Sequence, residues 1–214
     1  MAANQPPPGK IDVVPLFATP VVIGHPSDGT ALNQALREVI LAHEKTHPST
    51  QHSNQGGWQS SWDMEVWGGA PLARLLGFAR ETATRLTTDR EGKPTAPAWK
   101  INAWANINRS GHGNEFHCHP GSFWSGTYYV DDGGIAADAG LGGELEFMDP
   151  RGPAPAMYAP NLTFAVPGGA SVGASQTIIP RAGMMVLFPA WVLHAVRPYR
   201  GKATRISIAF NLSL

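Results

Sequence analysis

The second half of this chain is a succession of short, apolar segments of β type, separated by turns that contain glycine or proline. These segments span residues 99–108, 124–130, 143–148, 161–166, 175–179, 184–188 and 204–212. The 24 glycines and 19 prolines among the 214 residues supply the turns. Many short strands at this spacing are typical of a β-sandwich or a jelly-roll barrel. We therefore predict a mainly β fold.

The N-terminal part of the chain has a different pattern. Residues 1–10 contain three consecutive prolines and few apolar side chains, so they predict a disordered tail. Residues 11–23 predict one or two short strands interrupted by prolines. A helix is expected to begin at Ser27 or Asp28, and a second helix near Pro71, because apolar residues then recur at helical spacing.

The order of these elements predicts one domain over residues 11–214. Its N-terminal strands and two helices, in 11–98, would cover one face of a jelly-roll core formed by 99–214. The long Gly-, Ala- and Pro-rich loops at 131–142 and 150–160 are expected to be lids or binding loops.

Composition excludes several classes of function. The 16 basic residues balance the 16 acidic residues, so we expect no nucleic-acid partner. No apolar run is long enough to span a membrane, and the polar N-terminus lacks a signal-peptide core. We therefore expect a soluble, cytoplasmic protein. The single cysteine, Cys118, excludes an internal disulfide. The exposed proline-rich edges near the N-terminus suit a homodimer contact.

Three histidines are candidate metal ligands. His117 and His119 are separated by one residue, and in a strand such residues project from the same face, which directs Cys118 to the opposite face as a buried, inert residue. His194 ends a strongly apolar segment where a barrel interior would open. Imidazole is the commonest protein ligand for metals. The alternative for any one of them is a hydrogen-bonded histidine of the core.

A cation and a hydroxyl share one face of the terminal strand. Arg205 and Ser207 alternate with Ile206 and Ile208 in the segment R-I-S-I-A-F-N. Because an unpaired buried charge is very costly, Arg205 requires an anionic partner. A guanidinium beside a hydroxyl suits a small carboxylate. The alternative is an arginine at the rim of the sheet, paired with Asp or Glu.

Five segments, taken in order, form a pattern more specific than any one of them. They are W-A-N-I-N-R-S-G-H-G-N-E-F-H-C-H-P-G-S (104–122), S-G-T-Y-Y-V (125–130), G-G-E-L-E-F-M-D-P-R (142–151), G-M-M-V-L-F-P-A-W-V-L-H-A-V (183–196) and R-I-S-I-A-F-N (205–211). As a set they resemble the Fe(II)/2-oxoglutarate-dependent oxygenases, and a bacterial subgroup of them in particular. The resemblance implies a double-stranded β-helix (jelly-roll) barrel that binds Fe(II) with 2-oxoglutarate as cosubstrate.

The resemblance also implies roles for individual residues. The first and last metal ligands of the family correspond to His117 and His194, and His119 occupies the position of the second. The implied cosubstrate contacts are Arg205, Ser207, Tyr129 and Asn106. Beyond the metal ligands, no further catalytic residue is implied.

The chain departs from the family pattern at His119, where most members have Asp or Glu. Two histidines and one carboxylate form the usual facial triad for non-haem iron. Three imidazoles still bind Fe(II), but three-histidine iron sites also occur in dioxygenases that need no 2-oxoglutarate. Glu144 or Glu146 would be an alternative carboxylate ligand, although the segment that holds them is usually structural in the family.

The predicted reaction is the O₂-dependent hydroxylation of an unidentified small molecule or peptide, with release of succinate and CO₂. The alternative is a cupin-like three-histidine metal protein, a dioxygenase or isomerase that does not use 2-oxoglutarate. Gly111 and the His117–His119 pair match the start of the cupin pattern. The glutamate that should follow is absent, because positions 123 and 124 are Phe and Trp. A metal-free interaction domain would leave the histidines and Arg205 unexplained.

Overall fold

A computed structural model describes residues 16–153, 157–162, 164 and 174–214. The helices are α1 (Gly29–Glu44), α2 (Met64–Trp67) and α3 (Gly69–Arg85), with a 3₁₀ turn at Ala139–Leu141. The strands are β1 (Val22–Gly24), β2 (Asn54–Gln55), β3 (Trp58–Gln59), β4 (Lys100–Asn108), β5 (Gly113–His117), β6 (Trp124–Asp131), β7 (Leu145–Met148), β8 (Ser175–Ile178), β9 (Met185–Pro189), β10 (His194–Val196) and β11 (Arg205–Ser213). None of the helices in the described ranges is long and apolar enough to cross a bilayer.

The strands form two antiparallel sheets. The larger sheet has the order β1-β9-β6-β11-β4-β3, and the smaller has the order β2-β5-β10-β7-β8. Long pairing joins β11 to β4 without interruption, and to β6 with one irregularity, at the centre of the larger sheet. Side chains of both sheets line a common cavity between them.

Helices α1 and α3 pack on the outer face of the larger sheet. Leu32, Leu36 and Ile40 of α1 are buried at four-residue intervals, and α3 buries a matching apolar stripe. The same core includes Ile206 and Ile208 of β11. Apolar residues at helical spacing therefore cover one face of the sheet and leave the other face for the cavity.

The alternation of side chains along a strand separates these two environments. On β11, one set of residues packs against the helices: Ile206, Ile208, Phe210 and Leu212. The other set lines the cavity: Arg205, Ser207, Ala209 and Asn211. β4 follows the same rule, with alanine and isoleucine towards the helices and Asn102, Trp104 and Asn106 towards the cavity.

Irregular pairing interrupts the alternation at two places beside the cavity. His194 is opposite His117, whereas Val196 is opposite Asn114, so β5 has one more residue than β10 over this stretch. Similarly, Ile206 pairs with Asp131 but Ser207 pairs with Tyr129. Such bulges re-aim side chains and are frequent next to active sites. Here the irregularity between β5 and β10 places both Asn114 and His117 at the cavity wall.

The mainly β fold with flanking helices is confirmed, and the strands predicted at 99–108, 124–130 and 204–212 lie within one residue of the observed bounds at each end. The predicted jelly-roll fold is likewise confirmed, and the described strands form two antiparallel sheets rather than a closed barrel. Of the predicted strand 161–166, residues 161, 162 and 164 are described and are not in a strand, and the other three lie outside the described residues, as does the whole predicted tail at 1–10.

The predicted helices are also present, although their ends differ from expectation. Helix α1 begins at Gly29, but the Asp28 side chain does not cap it and instead forms an ion pair with Arg74. Helix α3 begins at Gly69, two residues before Pro71. In residues 11–23, the described part contributes only the start of β1, at Val22.

Candidate active site

The cavity between the two sheets has a volume of about 410 Å³ and contains all seven site residues predicted from the sequence. The smaller sheet and the residues after β5 contribute His117, His119 and His194. The larger sheet contributes Asn106, Tyr129, Arg205 and Ser207. The volume of the cavity is within the range of small-molecule binding sites. The predicted residues are thus brought together from two sheets.

The three histidines form a compact group. One ring nitrogen from each lies within 4.8 Å of the others. His117 and His194 face each other as paired residues of β5 and β10, with ring centroids 4.3 Å apart. His119 lies two residues beyond the end of β5, and its backbone N–H donates to the carbonyl of Ala190 at 2.9 Å. Strand alternation alone therefore does not position His117 and His119 together, because the hydrogen bond to Ala190 fixes His119 beyond the end of the strand.

Backbone carbonyls orient two of the imidazoles. Nδ1 of His117 is 2.7 Å from the Glu115 carbonyl, and Nδ1 of His194 is 2.9 Å from the Val192 carbonyl. Since a carbonyl only accepts, each Nδ1 carries the proton and each Nε2 retains its lone pair. This is the arrangement that orients histidines at metal centres.

Burial keeps all three imidazoles uncharged. Desolvation lowers the pKa of His117, lowers the pKa of His119 to about 4 and lowers that of His194 to about 3. The neighbouring histidines lower the pKa of His119 and His194 further. A neutral imidazole is the form that binds a metal, so the group is ready to do so at neutral pH.

Neither glutamate considered as an alternative ligand belongs to this group. The Glu146 carboxylate pairs with Arg197, with Arg197 Nε 2.8 Å from Oε2, and accepts a hydrogen bond from the Ser175 hydroxyl. Arg197 lowers the pKa of Glu146, as expected for an engaged carboxylate. Glu144 is likewise outside the cluster and does not line the cavity. Within the described residues, the candidate ligand set is therefore three histidines.

Arg205 is almost completely buried, with 1% of its surface exposed. Its Nη1 donates to Asn108 Oδ1 at 3.0 Å and to Ser207 Oγ at 3.4 Å, while its Nε is buried without a hydrogen-bond partner. No carboxylate of the described residues lies within 4 Å of the guanidinium. Burial lowers its pKa. The predicted alternative of a rim arginine paired with Asp or Glu is not found.

Tyr129 completes the polar group around Arg205. The guanidinium carbon lies 5.3 Å from the centre of the Tyr129 ring. The hydroxyl is buried and has no hydrogen-bond partner, and burial raises its pKa to about 12. Ser207 is opposite Tyr129 on one side and Asn106 on the other. A buried cation and a buried hydroxyl, both with unused donors, fit an anionic ligand with several acceptor oxygens.

These two groups fit the metal and the cosubstrate implied by the sequence. Three neutral imidazoles provide three of the ligands that Fe(II) accepts. The unused donors of Arg205 and Tyr129 fit a carboxylate in the same cavity. The arrangement is therefore able to hold a metal ion and a small dicarboxylate side by side.

Several residues of the cavity were not predicted as site residues. They are His52, Ser53, Gln59, Trp62, Asn102, Asn114 and Asn211 among others. Ser53 Oγ lies 3.4 Å from Nε2 of His117. The alternation of Asn102, Trp104 and Asn106 with small apolar residues was a readable signal of a polar strand face. The prediction for Cys118 needs correction, because it is half-buried and lines the cavity rather than facing away from it.

Comparisons with known proteins identify the family of this chain. A sequence model of the family described as "Putative 2OG-Fe(II) oxygenase" matches residues 102–211, which is 110 of the 214 residues. A search of curated proteins gives no match. The matched stretch includes all seven predicted site residues, and Fe(II) and 2-oxoglutarate are the cofactors of this family.

Solved structures show the same fold at low sequence identity. A prolyl-4-hydroxylase of Pseudomonas putida is 14% identical, with a TM-score of 0.62 over 92% of this chain and 94% of that one. A prolyl hydroxylase from Trichoplax adhaerens, in complex with a peptide fragment of hypoxia inducible factor, is 15% identical, with a TM-score of 0.63 over 90% and 83%.

A third solved structure contains bound ligands. HygX from Streptomyces hygroscopicus, with nickel and 2-oxoglutarate bound, is 10% identical, with a TM-score of 0.59 over 91% of this chain and 83% of that one. At these identities the likeness concerns the fold alone. The family assignment is carried by the sequence match over more than half of the chain. The chain belongs to the 2OG-Fe(II) oxygenase family.

Proposed function

We propose that this protein is a non-haem Fe(II)- and 2-oxoglutarate-dependent oxygenase that hydroxylates a small molecule or a peptide and releases succinate and CO₂. His117, His119 and His194 would hold the iron, and Arg205 would bind the far carboxylate of 2-oxoglutarate. One observation carries the proposal. The buried Arg205, with an unused Nε and no carboxylate partner in the described residues, lines the same cavity as three clustered histidines.

The protein's own residues would contribute binding and orientation. Neutral imidazoles with Nδ1 bound to backbone carbonyls offer fixed Nε2 atoms to the metal. Arg205, Ser207 and Tyr129 would donate to the cosubstrate carboxylate, with Asn106 beside them on the adjacent strand. Bound Fe(II) and 2-oxoglutarate would supply the oxidising chemistry, in which O₂ is consumed and 2-oxoglutarate is converted to succinate and CO₂.

A three-histidine metal protein that does not use 2-oxoglutarate is the second candidate. The absence of a carboxylate from the described metal group favours it, since the usual facial triad contains one. However, such a protein has no use for a buried, unpaired arginine in the same cavity. Arg205 therefore favours the 2-oxoglutarate-dependent reaction.

Succinate formation tests the proposed function. The purified chain would be incubated with Fe(II), 2-oxoglutarate and O₂, and succinate would be followed by NMR, while calorimetry measures 2-oxoglutarate binding to the metal-loaded protein without O₂. We expect binding and a slow, iron-dependent formation of succinate even before the substrate is known. A protein that binds metal but gives neither 2-oxoglutarate binding nor succinate would be the three-histidine alternative.

A further inference from the structure

The cavity lining carries almost no formal charge. Of the described residues that line it, none is Asp, Glu or Lys, and Arg205 is the single arginine. Carboxamide side chains take the place of charges: Gln59, Asn102, Asn106, Asn114 and Asn211. If Arg205 is occupied by 2-oxoglutarate, no charged side chain of this lining is left to pair with a substrate.

The strand register arranges the carboxamides in rows across the larger sheet. Gln59, Asn106 and Ser207 form one row, next to Arg205 along β11. Trp104 and Ala209 form the next row, and Asn102 and Asn211 form the row beyond it. Successive rows are about 7 Å apart, since a strand rises by ~3.4 Å per residue. The Asn102–Asn211 row is therefore the one farthest from the predicted cosubstrate position.

Most of these carboxamides have unused hydrogen-bonding capacity. Within the described chain, the side chains of Gln59, Asn102 and Asn106 make no hydrogen bond, although only 2% of Gln59 is exposed. Asn211 accepts a hydrogen bond from Ser125 Oγ at 2.7 Å, which leaves its amide N–H groups free. Asn102 and Asn211, paired across β4 and β11, thus offer donors together with one acceptor.

An aromatic wall runs from the mouth of the cavity to the histidines. The rings of Trp62 and Trp104 are 5.8 Å apart, and Trp104 is also 5.8 Å from the ring of His119. Trp62 is half exposed, whereas Trp104 is buried. A substrate that enters here would contact the two indole rings with an apolar face and the Asn102–Asn211 row with its polar groups.

We infer that the part of the substrate bound in this cavity is an uncharged amide, with its C=O and N–H groups on Asn102 and Asn211 and its apolar face on Trp62 and Trp104. A charged group would lose its hydration with no partner of opposite charge, whereas an amide satisfies donors and acceptors together. The inference rests on the proposed function, because Arg205 is counted as occupied by 2-oxoglutarate. Either a small amide or a segment of peptide backbone presents this chemistry.

Three matched probes test the inference: N-acetyl-leucine N-methylamide, N-acetyl-leucine and leucine N-methylamide, which are neutral, anionic and cationic. Binding would be measured by saturation-transfer NMR on Zn(II)-loaded protein saturated with 2-oxoglutarate, so that no turnover is required. We expect the neutral probe to bind at least ten-fold more tightly than either charged probe. A longer peptide with blocked ends, compared with the short amide, then distinguishes a segment of peptide backbone from a small amide as the ligand.

A charge introduced into the carboxamide row provides the second arm. Asn211→Asp should shift the preference to the cationic probe by ten-fold or more, while Gln34→Glu, which adds the same charge on the exposed side of α1, should leave the preference unchanged. Circular dichroism would confirm that both variants are folded. Asn102→Asp provides the same test if Asn211→Asp does not fold.

The outcomes separate this inference from the proposed function. Equal or tighter binding of a charged probe, or no binding of any probe, would overturn the uncharged-amide assignment. Omitting 2-oxoglutarate should allow the anionic probe to bind at Arg205, and adding 2-oxoglutarate should displace it. If 2-oxoglutarate fails to displace it, the proposed function fails, whatever the neutral probe does.

Discussion

The two faces of the larger sheet are built from the same strands but differ in chemistry. Towards the helices, β11 presents Ile206 and Ile208, which are completely buried in an apolar core. Towards the cavity, the same strand presents Arg205 and Ser207, which are almost as buried, but the Nε of Arg205 has no hydrogen-bond partner. Burial alone therefore does not distinguish the apolar core from the site. Unsatisfied polar groups under the same burial do.

The difference has an energetic meaning. Apolar side chains on the helix face gain stability when they are removed from water, at about 25 cal/mol per Å². Unpaired polar groups on the cavity face lose hydration and recover it only when a ligand binds. The helix face thus stabilises the fold, whereas the cavity face keeps polar groups that a ligand can satisfy. Substitutions on the two faces should therefore affect different measurements.

The largest effect on the cavity face is expected for His194→Ala. Loss of one of three proposed ligands should weaken Fe(II) or Zn(II) binding by more than ~100-fold, because even loss of a group that only orients a ligand costs about 10- to 100-fold. Competition with a chromophoric chelator would measure the affinity. His25→Ala, at an exposed histidine outside the cavity, should bind metal like the unmodified protein. Equal affinities in the two variants would exclude His194 as a ligand.

Arg205→Ala should have the next largest effect. Removing a buried cation from a carboxylate costs about 2–5 kcal/mol, so 2-oxoglutarate should bind ~30-fold more weakly or worse, with unchanged metal affinity. Calorimetry measures the metal affinity on the metal-free protein and the 2-oxoglutarate affinity on the metal-loaded protein. Arg80→Ala, on the exposed side of α3, is the matched control. A parallel loss of metal affinity in Arg205→Ala would show that Arg205 has a structural role instead.

The smallest and sharpest contrast uses two neighbours on β11. Ile208→Val should lower the free energy of unfolding by about 0.5–1.5 kcal/mol and leave 2-oxoglutarate affinity unchanged. Ser207→Ala should weaken 2-oxoglutarate binding by about 0.5–1.5 kcal/mol and change stability less. Urea unfolding and calorimetry, applied to both variants, provide the two measurements. A Ser207→Ala variant that is less stable but binds 2-oxoglutarate with unchanged affinity would contradict the distinction between the two faces.

Much of this arrangement was predictable from local patterns. Short apolar segments between glycines and prolines indicated the strands, and the alternation in R-I-S-I-A-F-N assigned Arg205 and Ser207 to one face, as observed. Periodic leucines indicated α1 and α3. These features depend on residues close in sequence. They therefore remained readable without knowledge of the tertiary structure.

Other features depend on long-range pairing and were not predictable. The extra residue of β5 relative to β10 is a property of two strands far apart in the chain, and it is the reason that Asn114 and His117 both reach the cavity. Strand parity also failed for Cys118, because β5 ends at His117 and Cys118 is no longer part of the strand. The separation into two sheets likewise follows from which strands pair, which local sequence does not specify.

In the proposed site, three histidines would hold a metal to which 2-oxoglutarate would bind with its far end on Arg205. Fe(II) and then 2-oxoglutarate would be added to the purified protein without oxygen, and the visible spectrum recorded. The account predicts a charge-transfer band that grows with 2-oxoglutarate, saturates at one equivalent and is strongly weakened in Arg205→Ala. A protein that binds Fe(II) but shows no band at saturating 2-oxoglutarate would contradict the account.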